Sequence, residues 1–154
     1  MTGQDPNTAL LGSSPEEYAT IVRWMSFINQ EVYGTMGGWF LPLIGRAPYS
    51  KESVESHMQM TEKRIRMIED QLCNTKYLAC NDLTLVDVFG CGMISPAFAM
   101  FFDEKWRADH PRVTEWVQDV YNQPIYQAVA PGELMMCKNA ISNERVRDPS
   151  SYAR

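Results

Sequence analysis

The stretch Leu83-Thr84-Leu85-Val86-Asp87-Val88-Phe89-Gly90-Cys91-Gly92-Met93-Ile94-Ser95-Pro96-Ala97-Phe98 decides the fold. Thr84 is an N-cap residue, and Asp87 stands three positions on, where its carboxylate can reach back to the cap's N–H. Leu83 before the cap and Val88 after it are spaced as a hydrophobic staple. From Leu85 to Phe102 the residues are apolar on nearly every face of a helix. A helix of that kind is buried on all sides, in the middle of a bundle. Pro96 should kink it. Asp87 is therefore read as a cap and not as a catalytic carboxylate.

Upstream, Ser14, Pro15 and Glu17 open another helix, with a capping box and proline at the first helical position. Tyr18, Ile21, Val22, Met25 and Ile28 carry its apolar stripe. The pattern weakens at Gly34 and predicts a break at Gly37-Gly38, followed by a short apolar piece from Trp39 to Ile44. A second helix starts near Ser50, with Val54, Met58, Thr61, Ile65, Ile68 and Leu72 on one face and charges on the other. Glu62 and Arg66 are spaced as an i,i+4 ion pair on that charged face. Residues 74–83 read as a connection with Asn74, Asn81 and Asp82 as turn formers. Downstream, residues 103–110 read as a charged link. Pro111 opens a helix striped by Val113, Trp116, Val117 and Val120, and a last short helix spans Ile125 to Val129. No stretch shows convincing strand alternation. The class is all-α, a helical bundle with a buried central helix, and residues 1–13 and 142–154 read as a flexible leader and a polar tail.

The chain has 154 residues, 14 basic and 19 acidic side chains and a net charge of −5. Such a balance disfavours phosphate backbones and anionic membranes as partners. No run approaches the ~20 apolar residues of a membrane span, and the first residues have no signal-peptide pattern. The expected location is the cytoplasm. The four cysteines and two histidines show no zinc-ligand spacing, so no metal is expected and the thiols read as buried and reduced.

Four segments together carry a resemblance. Tyr77-Leu78-Ala79-Cys80-Asn81-Asp82-Leu83-Thr84-Leu85-Val86-Asp87 resembles the capping-box segment that starts the central helix of the glutathione transferase C-terminal domain. Leu10 to Glu17 with Arg23-Trp24-Met25-Ser26-Phe27 is similar to the start of that domain. His110-Pro111-Arg112-Val113 with Trp116 is similar to its later helix. Tyr121 to Val129, with Gly132-Glu133 and Cys137, looks most like the transferase-like region of translation elongation factor 1B gamma subunits. The resemblance spans roughly residues 10–140 and places the domain at 14–141. Two positions depart from the pattern. Cys80 stands where the family has Gly, so Asn81 is expected to take the turn, and Val86 replaces a small residue.

The resemblance implies a family whose other, thioredoxin-like half binds glutathione and activates its thiol. This sequence shows no βαβ pattern for that half, so no glutathione-site or catalytic residue carries over. Glutathione is the implied cofactor, a hydrophobic small molecule the implied ligand, and a homodimer or a protein supplying the missing half the expected partner. The family's electrophile site lies against the first and central helices. That points to Tyr33, Met36, Trp39, Ser95 and Phe98 as substrate-binding residues. Trp24, Phe27, Tyr33, Met36, Trp39 and Phe40 crowd the first helix, as core or as the wall of a cleft. Arg23 and Glu31 read as a solvated pair or an inter-subunit contact, and Cys80 as an inert loop thiol near Lys76. Two functions fit. One is a transferase that conjugates glutathione or isomerises a double bond, in a specialised biosynthetic pathway. The other is a non-catalytic, gamma-like protein-interaction module.

Overall fold

The computed structural model describes residues 9–143. The flexible-leader and polar-tail expectations for residues 1–8 and 144–154 lie outside the described residues. A 3₁₀ turn, Ala9–Leu11, precedes α1 (Pro15–Phe27), a π turn (Ile28–Val32) and α2 (Tyr33–Leu43). Then follow α3 (Lys51–Leu72), α4 (Leu85–Phe98), α5 (Glu104–Asp109), α6 (Pro111–Tyr121) and α7 (Pro124–Gln127). Among the described residues there is no strand, and no helix is long and apolar enough to cross a membrane.

α4 is the centre of the bundle. Val86, Gly90, Cys91, Ile94, Ala97 and Phe98 are buried, against α1 and the π turn on one side and α6 on the other. Gly90 makes that packing possible: a β-carbon there would stand 2.9 Å from both Ile28 Cδ1 and Trp116 Cη2. The helix ends at Phe98, two residues past Pro96, and not at Phe102. The N–H groups of Met100, Phe101 and Phe102 all turn back to the Ala97 carbonyl. The last turn tightens onto that one carbonyl, and the helix stops there.

The expected break at Gly37-Gly38 does not occur, and α2 runs through both glycines. Gly38 serves interhelical contact instead: a β-carbon there would collide with the His57 ring of α3. Two elongated helices can approach this closely only where one offers no side chain. The irregularity falls earlier, at the π turn, a type of turn that often marks a functional or packing constraint.

Several local expectations need correction. Ser14 accepts the Glu17 N–H at 3.2 Å, but the Glu17 carboxylate bonds Ser13 N and Oγ, at 2.7 and 2.8 Å, and not the cap residue. Residues 9–13 are thus a structured lead-in. Among the described residues none other than glycine has positive φ, so neither Cys80 nor Asn81 takes a left-handed turn; Asn81 Oδ1 accepts the Lys76 N–H instead. The charged link is the helix α5, capped by Asp103, whose carboxylate accepts the Trp106 N–H at 2.8 Å. Of the thiols, only Cys91 is fully buried; Cys73 is exposed, and Cys80 and Cys137 are partly covered.

Arg23 and Glu31 do not pair. Glu31 bonds Arg64 of α3 at 2.6 Å, and the Arg23 guanidinium lies over the Trp24 ring. The start of the tail is docked: Trp39 Nε1 donates to Asn143 Oδ1 at 3.0 Å and Tyr49 OH to the Asn143 carbonyl at 3.1 Å. From Cys137 to Asn143 the chain forms a strap over the end of α4. Cys137 N and Ile141 N donate to the carbonyls of Phe98 and Met100, each at 2.8 Å.

Candidate functional site

The capping segment builds a polar knot at the head of α4. Asp87 is fully buried and accepts four hydrogen bonds: Thr84 N (2.9 Å) and Thr84 Oγ1 (2.8 Å) on one oxygen, Leu78 N (2.9 Å) and Trp116 Nε1 (3.0 Å) on the other. Burial pushes its carboxyl above the ordinary range, and the four donors pull it back. The carboxylate ties α4 to the preceding loop and to α6. Its role is structural, with no accepting capacity left for a ligand.

The five residues implied as substrate-binding do not meet in one cleft. Met36 (4% exposed) and Phe98 (0%) are in the hydrophobic core, together with Trp39. Tyr33, 52% exposed, stands on the outer surface. Ser95 lines a groove of about 280 Å³ with Tyr121 and Tyr126, its Oγ 3.4 Å from Tyr126 OH. The edge of Trp39 reaches a separate cavity of about 650 Å³, bounded by α3, α5 and the strap. A further open pocket of about 480 Å³ lies between α1 and the end of α3, lined by Arg23, Trp24, Phe27 and Met67.

The three cysteines that are partly or fully buried are not tuned as nucleophiles. Burial pushes the Cys91 thiol up to about 12, and it also raises Cys80 and Cys137. The Lys76 ammonium belongs to Asp119 and the Tyr77 ring, not to Cys80. Among the described residues no group of three or more potential ligands could hold a metal ion.

The cavity beside the strap contains a cluster that the sequence reading missed. Trp106 of α5 is stacked between Phe102 (centroids 3.6 Å apart) and His110 (4.1 Å). Its Nε1–H donates to Glu62 Oε1 at 2.7 Å, so Glu62 turns to α5 and not to Arg66. His110 is 2% exposed; its Nδ1 lies 2.9 Å from the Trp106 carbonyl and its Nε2 3.4 Å from Glu62 Oε2. The Trp106 and His110 spacing of four was the available signal, hidden because the segment read as a link. Two turns of α3 further on, the Glu69 carboxylate accepts Arg112 N and Val113 N, each at 2.8 Å, and caps α6 across the helix boundary.

Comparison with known proteins agrees with the architecture. Residues 32–124 match the family model described as glutathione S-transferase, C-terminal domain. Glutathione S-transferase stcT of Emericella nidulans is 39% identical over 126 residues, which cover 82% of this chain and 59% of that protein. Glutathione S-transferase psoE of Aspergillus fumigatus is 39% identical over 84% of this chain and 54% of its own. The chain thus spans just over half the length of these curated relatives. The crystal structure of the GST-like domain of elongation factor 1-gamma from Saccharomyces cerevisiae superposes with a TM-score of 0.82, at 30% identity, covering 88% of this chain and 62% of that one. The buried helix with its capping box and the matched residues lead to one conclusion: this chain belongs to the glutathione S-transferase C-terminal domain family.

Proposed function

We propose that the chain is the helical part of a glutathione-dependent enzyme acting on a hydrophobic small molecule, by conjugation or by double-bond isomerisation, in the cytoplasm. The observation that carries this reading is the 39% identity to two fungal proteins named glutathione S-transferases, over more than four-fifths of the chain. The group that activates the glutathione thiol is contributed from outside the described helices, for burial raises the thiols of Cys80, Cys91 and Cys137 above their ordinary range. The exposed side of the first long helix supports a docking role, for it displays Tyr18, Val22, Tyr33 and Leu41. A second copy or a glutathione-binding partner covers that side, leaving Tyr33 at the seam as the ligand contact, with Met36, Trp39 and Phe98 as the packed floor behind it. Ser95 is assigned to the separate groove by Tyr126.

The reading is tested by calorimetric titration of glutathione into the purified chain, with 8-anilinonaphthalene-1-sulfonate as a probe for a second, apolar site. Saturable glutathione binding in the millimolar range or tighter, unaffected by the dye, is the expected result. Dye binding without glutathione binding overturns it and leaves the alternative, a non-catalytic interaction module. That alternative is favoured by one observation, the 0.82 superposition on the elongation factor domain.

A further inference from the structure

The cavity of about 650 Å³ between α3, α5 and the strap is separate from the helix side assigned above to glutathione chemistry. Its walls are apolar where Trp39, Met58, Phe101 and Ile141 contribute, and its polar centre is Glu62 with Trp106 and His110 behind it. The Glu62 carboxylate is fixed in place. Trp106 holds one oxygen, and the Trp106 ring is itself clamped by stacking on both faces.

The second oxygen meets an electrostatic problem. The Trp106 carbonyl can only accept, so the proton on His110 lies on Nδ1. When neutral, the imidazole presents the lone pair of Nε2 to Glu62 Oε2, 3.4 Å away. Nε2 is buried and has no hydrogen-bond partner. In that form two acceptors converge, and the pair lacks a donor hydrogen. Among the described residues, nearby charges do not supply it. Lys105 is held by Asp109 at 2.7 Å, Asp103 is occupied by Trp106 N and Ala140 N, and Arg66 points to solvent from the rim.

We propose that this cavity is a binding site for an aromatic ammonium ion, its N–H groups donating to Glu62 and its ring lying against Trp39 and Phe101. Glutathione plays no part in it. A cation bound at Glu62 Oε2 relieves the facing acceptors. Aromatic walls add cation–π and apolar contact.

The indole N–H signals of ¹⁵N-labelled protein read the site directly. Trp106 reports Glu62, and Trp116, bonded to Asp87, reports the remote fold. Titration with phenethylammonium chloride at neutral pH is expected to shift the Trp106 signal saturably. Its neutral isostere 2-phenylethanol is expected to bind about tenfold more weakly, the worth of one charge-assisted hydrogen bond. In Glu62→Gln the amide oxygen can keep Trp106 and the NH₂ can donate to His110 Nε2. The preference for the cation is expected to vanish there, with the Trp116 signal unmoved. Equal binding of cation and alcohol, no saturable shift, or a preference that survives Glu62→Gln overturns the proposal. So does an imidazole already protonated on both nitrogens with an unmoved Trp106, because a proton alone then fills the gap. If Glu62→Gln fails to fold, the comparison of the two probes on the unaltered protein still decides.

Discussion

Two carboxylates sit at the two ends of this bundle, and their surroundings differ in kind. Asp87 is enclosed, and four donors saturate its oxygens. Glu62 is 28% exposed at a cavity wall, with one donor on one oxygen and a facing acceptor on the other. A buried charge whose every lone pair is used holds elements together. A charge that is fixed but left short of donors, with open space beside it, has capacity for something else. The contrast separates a structural acid from a candidate binding acid without reference to either one's sequence neighbours.

The contrast can be broken by removing each acid. Asp87→Ala strips the partner from four donors and is expected to lower the unfolding free energy by about 3–5 kcal/mol, read by chemical denaturation. A loss under about 1 kcal/mol would mean that water replaces the carboxylate and that the knot is not what ties α4 to α6. Glu62→Ala leaves one indole N–H at a wall that solvent can reach, so a loss of about 1–2 kcal/mol is expected in the same measurement. Equal losses for the two would erase the distinction. Asn143→Ala sharpens the comparison at the cavity end. It removes the acceptor for Trp39 Nε1 and is expected to cost about 1 kcal/mol, with faster amide hydrogen exchange at Cys137 and Ile141 and no change at Leu78. The smallest effect is expected for Arg64→Met. Its bond to Glu31 is short, but Glu31 is half exposed, and an exposed ion pair contributes under about 1 kcal/mol. Raising salt should shrink the difference further.

The head of α4 was legible because its information is local. Thr84, Asp87 and the staple positions lie within six residues, and one turn of helix brings them together. The same holds for Ser50, which caps α3 by accepting Ser53 N at 3.3 Å, and for the stripe of Val113, Trp116, Val117 and Val120, all buried. Failures came where a residue's partner is distant in sequence. Gly38 read as a helix breaker because its reason is a ring on α3. Glu62 read as half of a surface pair because Trp106 is 44 positions away. The implied ligand residues came from the resemblance and not from any local pattern. On α2 Met36 turns inward and Tyr33 outward, so the set divides between core and surface.

The π turn has a consequence for how this fold tolerates change in length. An α-helix advances by about 100° per residue, so deleting one residue from α1 would rotate everything before it away from the core. Ile28–Val32 already accommodates one residue more than an α-helical turn needs, and Asn29 and Gln30 within it are exposed. Loss of either would let the ladder close in α-helical register while Ile21 and Trp24 on one side, and Met36 and Trp39 on the other, keep their faces. The segment is a slack link, the one place along this rod where chain length can vary without turning the two halves against each other.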